Sequence, residues 1–233
     1  MIKRIVLGTL AAAVLTACGG TDSDKVDSQT STAAACEESS PEATSSSQGT
    51  ILESGFGQSN EYAWVTALVQ NDSDHAGQTV TVNFNVKDAS GKLAASGSQV
   101  SAFYWAGQKL PVGTQVDLGR GVKAASMEAT VLVEDEGTFD DQVVEQDWGS
   151  FPGTIYKQYG NWGAKFQVEN PTSEPLDGSA VAVICHNASG EVIGGSSTYP
   201  DLIPPSGETL VDVSDLYAAA EPHDCVGYLH PWM

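Results

Sequence analysis

Thr79-Val80-Thr81-Val82-Asn83-Phe84-Asn85-Val86-Lys87, followed by Asp88-Ala89-Ser90-Gly91, decides the fold class. Apolar side chains occupy every second position from Val80 to Val86 with polar ones between them, the period of a half-buried β-strand and not of a helix. Asp-Ala-Ser-Gly is turn chemistry, and a further strand begins at Leu93, so the segment reads as a hairpin. Working outward, Val65, Ala67 and Val69 make an earlier strand. Val116 and Leu118 make a later one, and Met127 to Val133 the last of this set.

The pattern then recurs. Residues 65–91 and 164–190 align without a gap at an offset of 99, so that Val69-Gln70-Asn71 meets Val168-Glu169-Asn170 and Asp88-Ala89-Ser90-Gly91 meets Asn187-Ala188-Ser189-Gly190. Beyond that stretch, Pro111-Val112-Gly113 is set against Pro205-Ser206-Gly207 at an offset of 94, which makes the second copy five residues shorter. Each copy carries roughly six or seven short strands punctuated by turns, the layout of an immunoglobulin-like sandwich. The expected fold is all-β, with two tandem immunoglobulin-like β-sandwich domains at 50–135 and 150–233. A linker at 136–149 joins them; residues 134–149 hold seven acids and no base, which reads as a solvated connection, and they lack the D-x-[DN]-x-[DN]-G pattern of a calcium loop. Asp215 to Ala220 is expected to form one helical turn capped by Ser214.

The first residues read as an address. Met1 to Arg4 are cationic, Ile5 to Leu15 apolar, and Leu15-Thr16-Ala17-Cys18 closes the stretch with small residues before a cysteine, the order of a secretory signal too short to span a bilayer. The cysteine resembles that of the bacterial lipoprotein box, which implies a signal peptide at 1–17, cleavage before Cys18 and lipidation there. Loss of Lys3 and Arg4 then takes the net charge from −20 to −22. Several acyl chains on Cys18 give stable attachment, where a single chain gives only marginal binding. Residues 18–49 are a disordered Ser, Thr, Ala and acidic linker without an aromatic side chain, reaching roughly 30 Å as a flexible coil. Cys36 lies inside it, open to an unpaired or an intermolecular state.

The succession of strand, Asn-containing turn, long strand, Asp or Asn-Ala-Ser-Gly turn, strand and Pro-x-Gly resembles the FxLYD type of extracytoplasmic immunoglobulin-like domain. Val82-Asn83-Phe84-Asn85-Val86-Lys87-Asp88 approximates the namesake motif without reproducing it. The resemblance implies envelope-facing modules without a general set of catalytic residues.

Cys185, His186, His223, Cys225, His230 and Met233 all fall in the last 49 residues. Alternation puts Val181, Val183 and Cys185 on one strand face and His186 on the other, while the repeat sets Cys185 against Val86 and Cys225 against Ala129, both core-facing. A Cys185–Cys225 disulfide across the sandwich follows, as an oxidising compartment would favour. The alternative comes from the tail Cys225-Val226-Gly227-Tyr228-Leu229-His230-Pro231-Trp232-Met233, which resembles the C-terminal ligand loop of cupredoxins. It implies a copper or redox site of His186, Cys225, His230 and Met233.

Other chemistries find little support. Thirty acids against ten bases argue against nucleic acid as a partner, and a single arginine, Arg120, remains after processing. G-x-S-x-G, H-E-x-x-H, P-loop and C-x-x-C motifs are all missing from the sequence, and Asp72-Ser73-Asp74-His75 is a polar turn whose adjacent side chains cannot surround one reacting atom. Aromatic residues are the remaining signal: Tyr62, Trp64, Phe103, Tyr104 and Trp105, then Trp148, Phe151, Tyr156, Tyr159 and Trp162, a set from which a sugar- or peptide-binding platform could be built. With Val65, Ala67 and Val69 facing the core, Trp64, Thr66 and Leu68 face outward, where the second copy has Gly163, Lys165 and Gln167. Trp64 and Leu68 thus mark either the contact between the copies or a partner surface. The expectation is a non-enzymatic binding or structural module of the cell envelope, held to the membrane by lipid and facing outside the cytoplasm. It needs no cofactor or resident metal, and an envelope or extracellular protein is its expected partner. A carbohydrate-binding module is a further alternative.

Overall fold

The computed structural model describes residues 48–135, 139–140 and 143–232. The signal peptide at 1–17, Cys18 and the linker with Cys36 fall outside the described residues, except that the last two positions, Gln48 and Gly49, open the first strand region.

The fold is all-β and antiparallel, with twelve strands among the described residues. The first six are β1 (Gly49–Ser59), β2 (Tyr62–Asn71), β3 (Thr79–Lys87), β4 (Leu93–Ala102), β5 (Lys109–Asp117) and β6 (Ser126–Glu134). They make two three-stranded sheets, β1-β2-β5 and β4-β3-β6. The alternation along β3 is realised: Val80, Val82, Phe84 and Val86 are fully buried, packing on Ala63, Val65, Ala67 and Val69 of β2. The second six are β7 (Ser150–Gln158), β8 (Asn161–Glu169), β9 (Ser179–His186), β10 (Val192–Thr198), β11 (Glu208–Ala218) and β12 (Asp224–Pro231). Their order, β10-β11-β8-β7-β12-β9, closes on itself as a barrel around a second core of Phe166, Val181, Val183 and Leu229.

The two halves repeat at an almost constant offset. Val65 pairs with Phe56 and Thr114, and Ala164, ninety-nine residues on, pairs with Ile155 and Val213. The offset of 99 therefore extends through the fifth strand of each half. This corrects the offset of 94: Pro111-Val112-Gly113 lies inside β5, opposite Leu68 to Thr66, whereas Pro205-Ser206-Gly207 lies in the turn before β11. Proline is tolerated there because β5 is an edge strand bonded only to β2. The hairpin turns match as expected. Asp88 Oδ1 accepts from the Ser90 and Lys92 amides, Asn187 Oδ1 from those of Ser189 and Glu191, and Gly91 and Gly190 both adopt positive φ. A buried asparagine at the end of the second strand also repeats. Asn71 Nδ2 donates to the His75 and Trp105 carbonyls, and Asn170 Nδ2 to those of Glu174 and Ile203, each tying two loops to one strand end.

Two further expectations change. Residues 214–218 are strand, not helix: after a bulge between Val213 and Leu216, Tyr217 and Ala218 pair with Gly195 and Gly194 and close the barrel. Tertiary pairing overrides a weak local preference there. The disulfide is present, with Cys185 and Cys225 buried and directly opposite each other at a Cα separation of 4.0 Å. It joins neighbouring strands β9 and β12 of one sheet and does not cross between sheets. In the first half Val86 lies opposite Met127, so Met127, not Ala129, stands where Cys225 does.

The halves are fused face to face within one compact unit. Gly55 and Gly57 of β1 lie so close to β10 and β11 that a Cβ would sit 2.3 Å from the Val192 carbonyl oxygen at Gly55, and 2.0 Å from the Tyr217 carbonyl oxygen at Gly57. Ile184 of β9 is fully buried outside the second core cluster, and β9 also packs against β5 of the first half. The end of the link is packed as well, contrary to a wholly solvated connection: the Val144 amide donates to the Tyr104 carbonyl, Trp148 is buried, and Val144 and Trp105 touch both cores. Gly57→Ala must push two backbones apart, and it is expected to lower stability by about 2 kcal/mol or more. Urea denaturation reads this directly. An unchanged or raised midpoint, as a glycine replacement gives where space exists, would count against the close contact.

Candidate functional site

The contact between the halves gathers most of the polar and aromatic groups that point away from the two cores. Trp64 of β2 lies half-buried in a slot between Gly113 of β5 and Gly195 of β10; a Cβ on either glycine would come within 3.0 and 3.3 Å of its Nε1. Its ring stacks on Tyr217 at 6.4 Å, and the Tyr217 hydroxyl donates to Gln115 Oε1 at 3.0 Å. Thr66 and Leu68, the other outward residues of β2, are 2% and 5% exposed, so this strand face is covered by the second half and is not a free surface. The polar counterparts Gly163, Lys165 and Gln167 belong to the sheet on the far side of the barrel, where Lys165 reaches Asp212 and Gln167 donates to Glu208.

Beside Trp64 a cleft of about 150 Å³ opens between β2, β4 and β5 of the first half and β9, β10 and β12 of the second. Thr66, Ser101, Ser196 and Ser197 contribute hydroxyls to its walls. At its lip Tyr199 and Trp232 form a pair with ring centroids 4.9 Å apart, and both are more than half exposed. The Trp64 indole N–H is buried without a hydrogen-bond partner. His230 lies against the Tyr104 ring, and burial pushes its imidazole below the usual histidine range. Its Nδ1 donates to the Pro231 carbonyl at 2.7 Å, which leaves Nε2 as an acceptor.

A second polar group spans the same contact. His186 Nδ1 lies 2.8 Å from Asp224 Oδ1 on β12, and its Nε2 lies 3.2 Å from Glu53 Oε2 on β1. Hydrogen bonds to the two carboxylates, that of Glu53 foremost, outweigh desolvation and hold the imidazole charged, its pKa raised to about 9. Burial and the nearby charges of Glu53 and Asp224 push the Tyr228 phenol up to about 12.

The copper set drawn from the tail is not assembled. The Cys225 sulfur is bonded to Cys185, His186 is engaged by two carboxylates, His230 packs against Tyr104, and Met233 lies outside the described residues. Phe103 and Tyr104 are core residues, and Tyr159 stands alone at a turn, 96% exposed. The aromatic lip of Tyr199 and Trp232 escapes a reading by sequence, because the two residues are 33 positions apart in irregular segments without periodicity.

No family model matches the chain, and no curated protein matches it. Among solved structures it is similar to a transglutaminase of red sea bream at 10% identity and a TM-score of 0.23. The alignment covers 74% of this chain and spans 27% of the length of that one.

The His186 cluster makes stability depend on pH. A folded pKa of about 9 against an unfolded one near 6.5 means that the stabilisation is complete below pH 6.5 and is lost as pH rises through 9. The shift corresponds to roughly 3 kcal/mol, and exposure of about half the Asp224 carboxylate reduces this to about 2 kcal/mol. Between pH 7 and pH 10 the urea midpoint of the natural chain should therefore fall further than that of His186→Gln. Parallel pH profiles would show that the cluster contributes nothing.

Proposed function

We propose that the chain is an exported, lipid-anchored module of the cell envelope, built from two immunoglobulin-like domains, that works by binding or spacing and not by catalysis. The observation that carries this reading is the buried Cys185–Cys225 bridge, which belongs to an oxidising compartment and agrees with the cationic, apolar and Leu15-Thr16-Ala17-Cys18 segments as an export and lipidation signal. In this reading Cys18 carries the acyl chains and residues 19–47 tether the folded part to the membrane.

A binding or structural role is favoured over an enzymatic one by how the polar groups are used. The buried asparagines tie loops, the His186 cluster joins the halves, and the His75 imidazole bonds the Asp74 and Asp135 carboxylates at an exposed turn. The acidic surface keeps the protein soluble and repels anionic envelope polymers. In a bacterial host fed labelled palmitate, the full chain should take up label and sediment with membranes, whereas Cys18→Ala should do neither. An unlabelled, soluble natural chain would overturn the anchored reading.

A further inference from the structure

We infer that the cleft at the seam binds one neutral, hydroxyl-rich sugar ring, an assignment that rests on the reading of the chain as a binding module. Three features of the cleft select that chemistry. Its lining contains no Asp, Glu, Lys or Arg, although charged residues make up 17% of the chain and the net charge is −20. A carboxylate or phosphate would find no cationic partner there and would enter against the protein's overall field, and a cation would find no carboxylate to pair with. Of the wall hydroxyls, that of Thr66 already donates to the Val112 carbonyl and that of Ser101 is bonded to Tyr104, which leaves those of Ser196 and Ser197 to donate and accept, as a polyol requires.

The second feature is the indole N–H of Trp64, buried without a partner although buried donors are nearly always satisfied. The N–H is closed in between Gly113 and Gly195, so a ligand hydroxyl supplies the acceptor it lacks once that slot opens slightly toward the cleft. The third is the lip. Tyr199 and Trp232 are large, paired and more than half exposed beside the cavity. Aromatic faces left in water at the mouth of a polar cleft suit the C–H face of a pyranose, which is apolar on its face and polar at its edge. The cleft exists only because the two halves are fused, since its walls come from strands of both.

The test titrates the full chain with glucose, galactose and N-acetylglucosamine, and with glucuronate and glucosamine as charged counterparts. Binding is followed by intrinsic fluorescence and by the indole N–H resonances in NMR. At least one neutral sugar should saturate and shift one indole resonance, identified as that of Trp64 by its absence in Trp64→Phe. Trp232→Ala, a change at an exposed side chain, should weaken binding about tenfold with melting unchanged. Trp64→Phe keeps a ring in the slot, costs some stability through the volume it removes beside Tyr217, and should weaken binding by a similar factor. The charged counterparts should bind at least about tenfold more weakly than the neutral sugars. Flat titrations with all three neutral sugars overturn the assignment, as does binding that survives both substitutions unchanged. With palmitate labelling at Cys18 intact, either result removes the sugar and leaves the anchored module standing, whereas loss of labelling removes the anchor without altering the titration.

Discussion

The structure depends on the approach of two backbones at Gly55 and Gly57. Where the facing strands of stacked sheets carry side chains, the layers sit about 10 Å apart. At β1 the side chains are missing, and the carbonyls of Val192 and Tyr217 occupy the space that Cβ atoms would take. The other contacts between the halves follow from that closeness. Trp64 can lie flat between Gly113 and Gly195, Tyr217 can stack on it, and Glu53, two residues before Gly55, comes within reach of His186. Further along the same contact small residues, Gly113, Ala180, Ala182, Ser196 and Ser197, line the cleft. The two halves are thus fixed in one arrangement by geometry, with the ion cluster at one end of the contact and the aromatic slot beside it.

Each half solves the problem of its sheet edges differently. In the second, β10 pairs briefly with β11 and β7 with β12, so both seams of the sandwich are closed, and the bridge between β9 and β12 locks neighbouring strands. Cross-linking across 40 residues removes unfolded-state entropy corresponding to about 4 kcal/mol in the chain-entropy model. In the first half the equivalent sheets stay unpaired at their edges and Val86 faces Met127 without a bridge. That half has the larger apolar filling instead, with Phe84, Phe103, Tyr104 and Leu110 all fully buried.

Much of this was legible in the sequence, and the misses have physical causes. The two-residue period of β3, the Asp-Ala-Ser-Gly turns and the shared interior of the two cysteines were sufficient because burial and turn geometry leave few choices at such positions. The strand at 49–59 was not recognised, since its glycines and its bulge between Ile51 and Glu53 erase the alternation. Pro111 suggested a turn because sequence does not reveal which strand is an edge. Asp215 to Ala218 suggested a helix because the bulge after Val213 leaves Ser214 and Asp215 exposed side by side, while the pairing that fixes the segment comes from a distant strand. The outward face of β2 stands out in the sequence, and its mate is equally visible there. Ala180, Ala182, Ile184 and His186 stand where the first copy has Thr81, Asn83, Asn85 and Lys87.

That comparison shows how a repeat becomes a defined pair. If both copies kept both apolar faces, each would offer a surface to a third, and the stack could continue as an open array. Instead each mating face is apolar only in the copy that uses it. Trp64 and Leu68 stand where the second copy has Gly163 and Gln167, and Ala182 and Ile184 where the first has Asn83 and Asn85. The equivalent faces at the two ends carry Lys87 paired with Glu128 on one side and Lys165 paired with Asp212 on the other. Charged pairs thus stand on both end faces, beside the exposed Leu132 on one and Leu210 on the other. The divergence between the copies is the record of that constraint, and the cleft lies at the one place where two unlike faces of the same fold meet.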